Sequence, residues 1–299
     1  MRSHEAGRIG ERLWYLGKEE SGVYLLEGDS VSVIINGGMS YLAPIVRDQL
    51  VAFGIDEKKL KKLLLLHSHF DHVGLAPFFR RRDPDLQVYA SERAWQILQM
   101  PKGIETINAS SRLVAQRRGV SAWLERLDIE WRSEPAGRVV SEGDRIDLGG
   151  LTLQILETPG HSSCSISAYV PEIRALFPSD GGGIPYKEII LPSGNSNFTE
   201  YQQSLEKLKS LAVALFCADH YGYVTGKDAE GIIDRSIDAA KRYRAMVEAI
   251  YRRTASIEAT AQALVTERYT QIPDFLIAPE IYAGVCRQIV RHIAGAMGA

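Results

Sequence analysis

Cysteine is scarce: the 299 residues hold three, at positions 164, 217 and 286, none in a C-x-x-C pair. That excludes a disulfide framework and a zinc knuckle, so Cys164, Cys217 and Cys286 are expected as reduced, mostly buried thiols. Long apolar runs are missing too. No stretch approaches the roughly 20 residues of a membrane span, and the polar start at 1–12 lacks the apolar segment of a secretory signal. The expectation is a cytoplasmic protein that does not enter a membrane. Neither sign of charge dominates, with 35 Lys+Arg against 37 Asp+Glu, so no field draws the chain to nucleic acid or an anionic surface. Arg80-Arg81-Arg82 reads as a solvated helix end rather than a phosphate patch. A G-x-S-x-G nucleophile elbow, a low-complexity linker and a short repeat are absent as well.

What is present is core material, 45% hydrophobic residues, enough for one large domain or one domain with an appendage. Residues 13–16, 23–27 and 31–35 read as strands broken by glycine turns, an antiparallel meander. Residues 41–53 space apolar side chains at helical intervals, and the leucine run 63–66 suits a strand buried on both faces. A helix is predicted over 73–81 and a strand over 86–90. A mostly helical insertion then follows at about 91–135, carrying Trp95, Trp123 and Trp131. These tryptophans either floor a pocket or simply pack, and packing is the favoured reading. Strands follow at 145–148, 151–156, 165–170, 174–177 and 212–217, and Thr199-x-x-Gln202 reads as a capping box opening a helix. From Asp228 the pattern is helical alone, through Arg252, over 257–267 and over 279–296. The predicted fold class is α/β: two sheets face to face with helices outside, a four-layer αββα sandwich over 1–226, and a helical appendage over 227–299.

The chemical signal is His67-Ser68-His69-Phe70-Asp71-His72, directly after the leucine run. Side chains alternate along an extended strand end, so His67 and His69 point to one side and can reach one metal. Asp71 and His72 turn away into the next element, where they can serve a second. Of seven histidines only His4 and His292 lie outside this motif and two later positions, Thr158-Pro159-Gly160-His161 and Ala218-Asp219-His220. Each of those, like Asp180, follows a predicted strand. A single histidine beside a glycine is usually a polar loop residue, and Asp180 before Gly181-Gly182-Gly183 could be a turn former. Jointly, five imidazoles and two carboxylates at strand ends point to a metal site.

The set H-x-H-x-D-H, T-P-G-H, S-D-G and D-H resembles the metallo-β-lactamase superfamily over residues 13–223. The resemblance implies that His67, His69 and His161 hold one cation, that Asp71, His72 and His220 hold a second, and that Asp180 bridges both. It implies a hydroxide seated between two divalent ions, which makes a Ser or Cys nucleophile unnecessary. Zinc, iron and manganese all suit such mixed ligands.

The sequence departs from the family at two places. Many relatives carry an aspartate that braces a ligand histidine where this chain has Asn36, and the last histidine follows Asp219 rather than glycine. Tyr221 and Tyr223 are candidates to donate to a substrate carbonyl, with packing the alternative. Segments 66–94 and 273–276 are similar to the quinolone-signal-response thioesterases of the superfamily. That likeness implies hydrolysis of a thioester or ester of a small acyl substrate, with the insertion and tail helices closing the pocket. An acyl-homoserine-type lactonase and a weakly catalytic regulatory protein with a retained metal site are the alternatives, and a persulfide dioxygenase is a further one. The tail helix at 279–296 either covers its own chain or packs on a second copy, a homodimer being favoured.

Overall fold

Apolar residues alternating around glycine turns lay down an antiparallel meander of β3 (Leu13–Lys18), β4 (Ser21–Glu27) and β5 (Ser32–Ile35). β2 (Gly7–Arg8) pairs on its outer edge. The sheet then grows in parallel through β6 (Leu60–Leu64), β7 (Gln87–Ser91) and β8 (Arg138–Val140). Parallel neighbours need crossovers. They are supplied by α1 (Ala43–Ala52), α2 (Ala76–Arg82), and the helical insertion of α3 (Glu92–Gln99), α4 (Pro101–Arg117) and α5 (Ser121–Leu124).

A second seven-stranded sheet runs in the order β1 (Arg2–Ser3), β16 (Tyr223–Thr225), β15 (Leu215–Cys217), β12 (Ala175–Phe177), β11 (Ile166–Val170), β10 (Thr152–Glu157) and β9 (Arg145–Asp147). Only β12 and β15 are parallel in it. Tyr15, Tyr24, Leu26, Ile35 and Leu64 of one sheet share a core with Leu153, Ile155, Ala168 and Phe177 of the other. The Tyr24 ring meets Phe177 edge-on at 5.4 Å. Each such burial contributes about 1.5–3 kcal/mol, which makes this face-to-face contact the stabilising core.

This computed structural model describes all residues except 1, 125, 134, 135, 274, 276 and 299, and all but the side chain of Trp123. The reading of Trp123 as pocket floor, and part of the 273–276 likeness, therefore lie outside the described residues. The chain divides into two compact units. The first is Met1–Glu157, Cys164–Ser179 and Ala212–Glu230, ending in α7 (Lys227–Glu230). It holds both large sheets and α1 to α5.

The second unit is Thr158–Ser163, Asp180–Leu211 and Gly231–Ala299. It contains the hairpin β13 (Ile184–Tyr186) and β14 (Ile189–Leu191), then α6 (Phe198–Leu208), α8 (Ile232–Thr254), α9 (Ile257–Gln271) and α10 (Pro279–Met297). The tail helices thus share a unit with residues 180–211 instead of forming an appendage of their own, because α6 packs on α8 and α10. α6 also opens differently from the expected capping box. Asn197 caps it, accepting from the backbone N–H groups of Thr199 (3.1 Å) and Glu200 (3.2 Å). The side chains of Thr199 and Gln202 are instead acceptors for Arg244, at 3.1 and 2.9 Å. Among the described residues no helix is long and apolar enough to cross a membrane.

Candidate metal centre

The leucine run stays extended past β6 because both sheets hold it. Leu65 N–H donates to the Tyr89 carbonyl at 2.8 Å, and the Leu66 carbonyl accepts from Ile166 N–H at 2.8 Å. His67 follows, fully buried, and the chain remains extended to His69 before a 3-10 turn at Phe70–His72. That turn folds the motif onto itself: the rings of His69 and His72 lie 4.7 and 4.1 Å from that of His67, centroid to centroid. His67 Nε2 and His69 Nδ1 approach to 3.1 Å, so one acceptor of lone pairs could take both.

A glycine-lined loop pins the far side. Gly37 N–H donates to the His72 carbonyl at 2.8 Å, and Gly74 and Leu75 N–H donate to the carbonyls of Gly38 (2.8 Å) and Gly37 (2.7 Å). A Cβ on Gly74 would lie 2.2 Å from Ser40 N, so only glycine permits this approach. The same pinning delays helix α2 to Ala76, three residues after its predicted start.

The end of β15 supplies the next ligand. Tyr24 Oη donates to the Ala218 carbonyl at 2.6 Å and Gly22 N–H to the Asp219 carbonyl at 2.7 Å, which fixes the turn carrying His220. Ligand atoms of Asp71, His72 and His220 then lie within 4.8 Å of one another. Asp71 Oδ2 is 3.5 Å from His72 Nε2 and 3.6 Å from His220 Nε2.

Tautomers follow from what the other ring nitrogens touch. His220 Nδ1 is 2.7 Å from the Glu20 carbonyl and His72 Nδ1 is 3.0 Å from Asp219 Oδ2. Both partners can only accept, so the proton of each neutral ring sits on Nδ1 and its lone pair on Nε2, toward Asp71. Asp219 Oδ2 also accepts from Ser179 Oγ, which itself stands 3.1 Å from His67 Nδ1 and accepts from it. One buried carboxylate thus braces His72 directly and His67 through a hydroxyl.

The carboxylate that the resemblance leads one to expect at position 36 therefore has a counterpart at 219, behind His72. Asn36, buried with φ 70°, uses its amide to close the turn instead, donating from Nδ2 to the Gly22 carbonyl at 2.7 Å. The signal was in the sequence as two separate departures, Asn36 and Asp219, whose connection only the fold reveals.

In the second unit His161 and Asp180 form their own pair. His161 Nδ1 donates to the Ser193 carbonyl at 2.8 Å, and its Nε2 lies 3.4 Å from Asp180 Oδ2. Ser193 Oγ donates to the Asp180 carbonyl. Both ligand residues are buried. Gly160 sets up this turn at φ +123°, where a Cβ would fall 2.1 Å from Tyr201 N.

Other expected residues also make structural contacts. The indole N–H groups of Trp95 and Trp131 donate to the carbonyls of Arg138 and Val73, each at 3.1 Å, so both rings pack and tie loops down. Tyr223 lies against the inter-sheet core, its ring 5.4 Å from that of Tyr15. Tyr221 takes φ 61° and donates its N–H to the Glu19 carbonyl at 2.7 Å. All three thiols are buried; burial pushes Cys217 well above the ordinary thiol range and Cys286 up to about 11, which disfavours the thiolate in those two.

Imidazole nitrogens with fixed tautomers grouped around carboxylates are the donors a divalent transition metal takes, so the residues present fit such an ion. Residues 17–220 match the metallo-beta-lactamase superfamily. The chain is 26% identical to the metallo-beta-lactamase fold-containing protein ST1585 of Sulfurisphaera tokodaii, over 70% of this chain and 75% of that one. It is 28% identical to the acyl-coenzyme A thioesterase MBLAC2 of Gallus gallus, over 68% and 71%. Among solved structures, the metallo-beta-lactamase family protein TTHA1429 of Thermus thermophilus superposes with a TM-score of 0.67 at 16% identity, covering 97% of this chain and 95% of that one.

Proposed function

The chain belongs to the metallo-β-lactamase superfamily, and from that premise we propose that it is a metal-dependent hydrolase cleaving the thioester or ester bond of a small acyl substrate. The observation that carries this reading is the cluster of Asp71, His72 and His220, with each imidazole braced on Nδ1 so that Nε2 faces the carboxylate. These three would hold one divalent cation, zinc, iron or manganese. His67 and His69 together with His161 would hold the other, with Asp180 between them. When bound, such a pair supplies an acidified water and polarises the substrate carbonyl. The protein's own part is to hold His67, His72, His161 and His220 with the proton on Nδ1 and to keep Asp71 and Asp180 as the carboxylates that would offset the cations' charge and take the proton of the attacking water. Tyr221, next to His220, would donate to the carbonyl oxygen.

Three things favour acyl transfer to water over other chemistry: the absence of a rival nucleophile elbow, the burial of all three thiols, and the acyl-coenzyme A thioesterase among the relatives. The test is a panel of matched thioester, ester and lactone substrates offered to protein loaded with each of the three metals. Thioester turnover is expected with at least one metal. It should fall by about a thousandfold or more in the double variant His69→Ala with Asp71→Asn, which removes one ligand from each cation. Metal-replete protein inert across the panel, or turnover retained in the double variant, would overturn the proposal, and faster lactone than thioester cleavage would reassign the substrate.

A further inference from the structure

The second compact unit encloses a cavity of about 370 Å³ between β14, α8, α9 and α10. That falls within the range of small-molecule pockets, roughly 300–1,000 Å³. Its inner surface is apolar and aromatic, with Leu264, Tyr243 and Tyr282 buried and Met246 and Ile190 half-buried. The mouth carries charges of both signs, Arg235 and Arg242 against Glu188, Asp238 and Glu267, all exposed. The rim therefore selects no sign of charge.

One buried charge does. Arg268 lines the cavity and is only 7% exposed. Its Nε donates to Tyr282 Oη at 3.2 Å, and its guanidinium carbon lies 5.4 and 5.7 Å from the ring centroids of Phe275 and Tyr282. The two rings hold the plane of the fork but give its terminal NH2 groups no acceptor. Among the described residues no carboxylate pairs with Arg268. The buried Tyr243 side chain lies on the same wall, its hydroxyl beside that of Tyr282. Arginine is almost never fully buried unless paired, since an uncompensated buried charge is costly. A planar guanidinium with two parallel N–H groups to give is matched by a carboxylate.

We propose that this cavity binds a small amphipathic carboxylate, its head on the Arg268 fork within reach of the Tyr243 hydroxyl and its apolar body over Leu264, Met246 and Ile190. The site is assigned from binding chemistry alone and stands whether or not the hydrolase reading does.

Isothermal titration of the full-length protein with octanoate, octanol, octylamine and inorganic phosphate tests it. Octanoate should bind saturably at one site, and the uncharged and cationic analogues at least tenfold more weakly, about 1.4 kcal/mol or more. Arg268→Gln should lose octanoate binding. Met246→Trp, which fills the cavity from its half-exposed side and leaves Arg268 in place, should lose it too, and decides the matter if Arg268→Gln does not fold. Undiminished binding in these variants, equal binding of octanol, or no saturation by octanoate would overturn the proposal. Phosphate binding as tightly as octanoate would reduce the site to an inorganic-anion pocket and overturn the amphipathic assignment.

Discussion

The two compact units brace their candidate ligands by different means. In the first, a buried charge stands behind the motif: Asp219 accepts from His72 and, through Ser179, from His67. In the second, the His161 ring nitrogen remote from Asp180 donates to a neutral backbone carbonyl, that of Ser193. A carboxylate behind an imidazole raises its basicity and fixes its ring, whereas a carbonyl fixes the ring with little added field. A cation held by the first unit's own ligands should therefore be gripped more tightly, and that grip should be the more easily weakened by removing the one charge behind it.

The largest effect should come from removing that charge. Asp219→Asn keeps an acceptor for His72 Nδ1 and most of the shape but abolishes the negative charge. Metal affinity is expected to drop about 10- to 100-fold, the range for loss of a carboxylate behind a ligand histidine, measured by competition with a chromophoric chelator. The metal-free protein should melt close to wild type, because a buried carboxylate without a cation nearby contributes little net stability. Unchanged affinity would erase the difference between the units.

A middle-sized effect tests where the charge has to be. Asn36→Asp introduces the residue type that the family resemblance leads one to expect, at a site whose amide donates to the Gly22 carbonyl. A carboxylate there faces a carbonyl with nothing to give, so stability should fall by about 2 kcal/mol in a denaturant titration, the cost of an unsatisfied buried group. It should not rescue Asp219→Asn. Rescue would mean that position 36 still reaches the ligand histidines and that the charge has not moved to 219.

That exchange marks where the sequence stops being legible. The seven candidate ligands can be picked out because each follows a strand, and the meander, the leucine strand and the tail helices can be read from periodicity. What periodicity does not carry is partnership across the fold. Asn36 and Asp219 lie far apart in the chain and meet only through Gly22, which is bonded to both. The helix cap shifts from Thr199 to Asn197 for a similar reason, since Arg244, a distant residue, occupies both side chains of the expected box. The grouping of 180–211 with the tail helices likewise depends on packing between α6 and α10, which no local pattern announces.

The smallest effect belongs to the neutral brace. Ser193 holds the second unit's ligands twice, its carbonyl on His161 Nδ1 and its hydroxyl on the Asp180 carbonyl. Ser193→Ala deletes the second contact, a neutral hydrogen bond of about 1 kcal/mol, and leaves the carbonyl that orients His161 untouched. Metal affinity in the same chelator competition should therefore weaken by less than tenfold, well short of Asp219→Asn. If Ser193→Ala proved as damaging as Asp219→Asn, position rather than charge would be what both braces supply. The electrostatic distinction between the two units would then give way to a purely steric one.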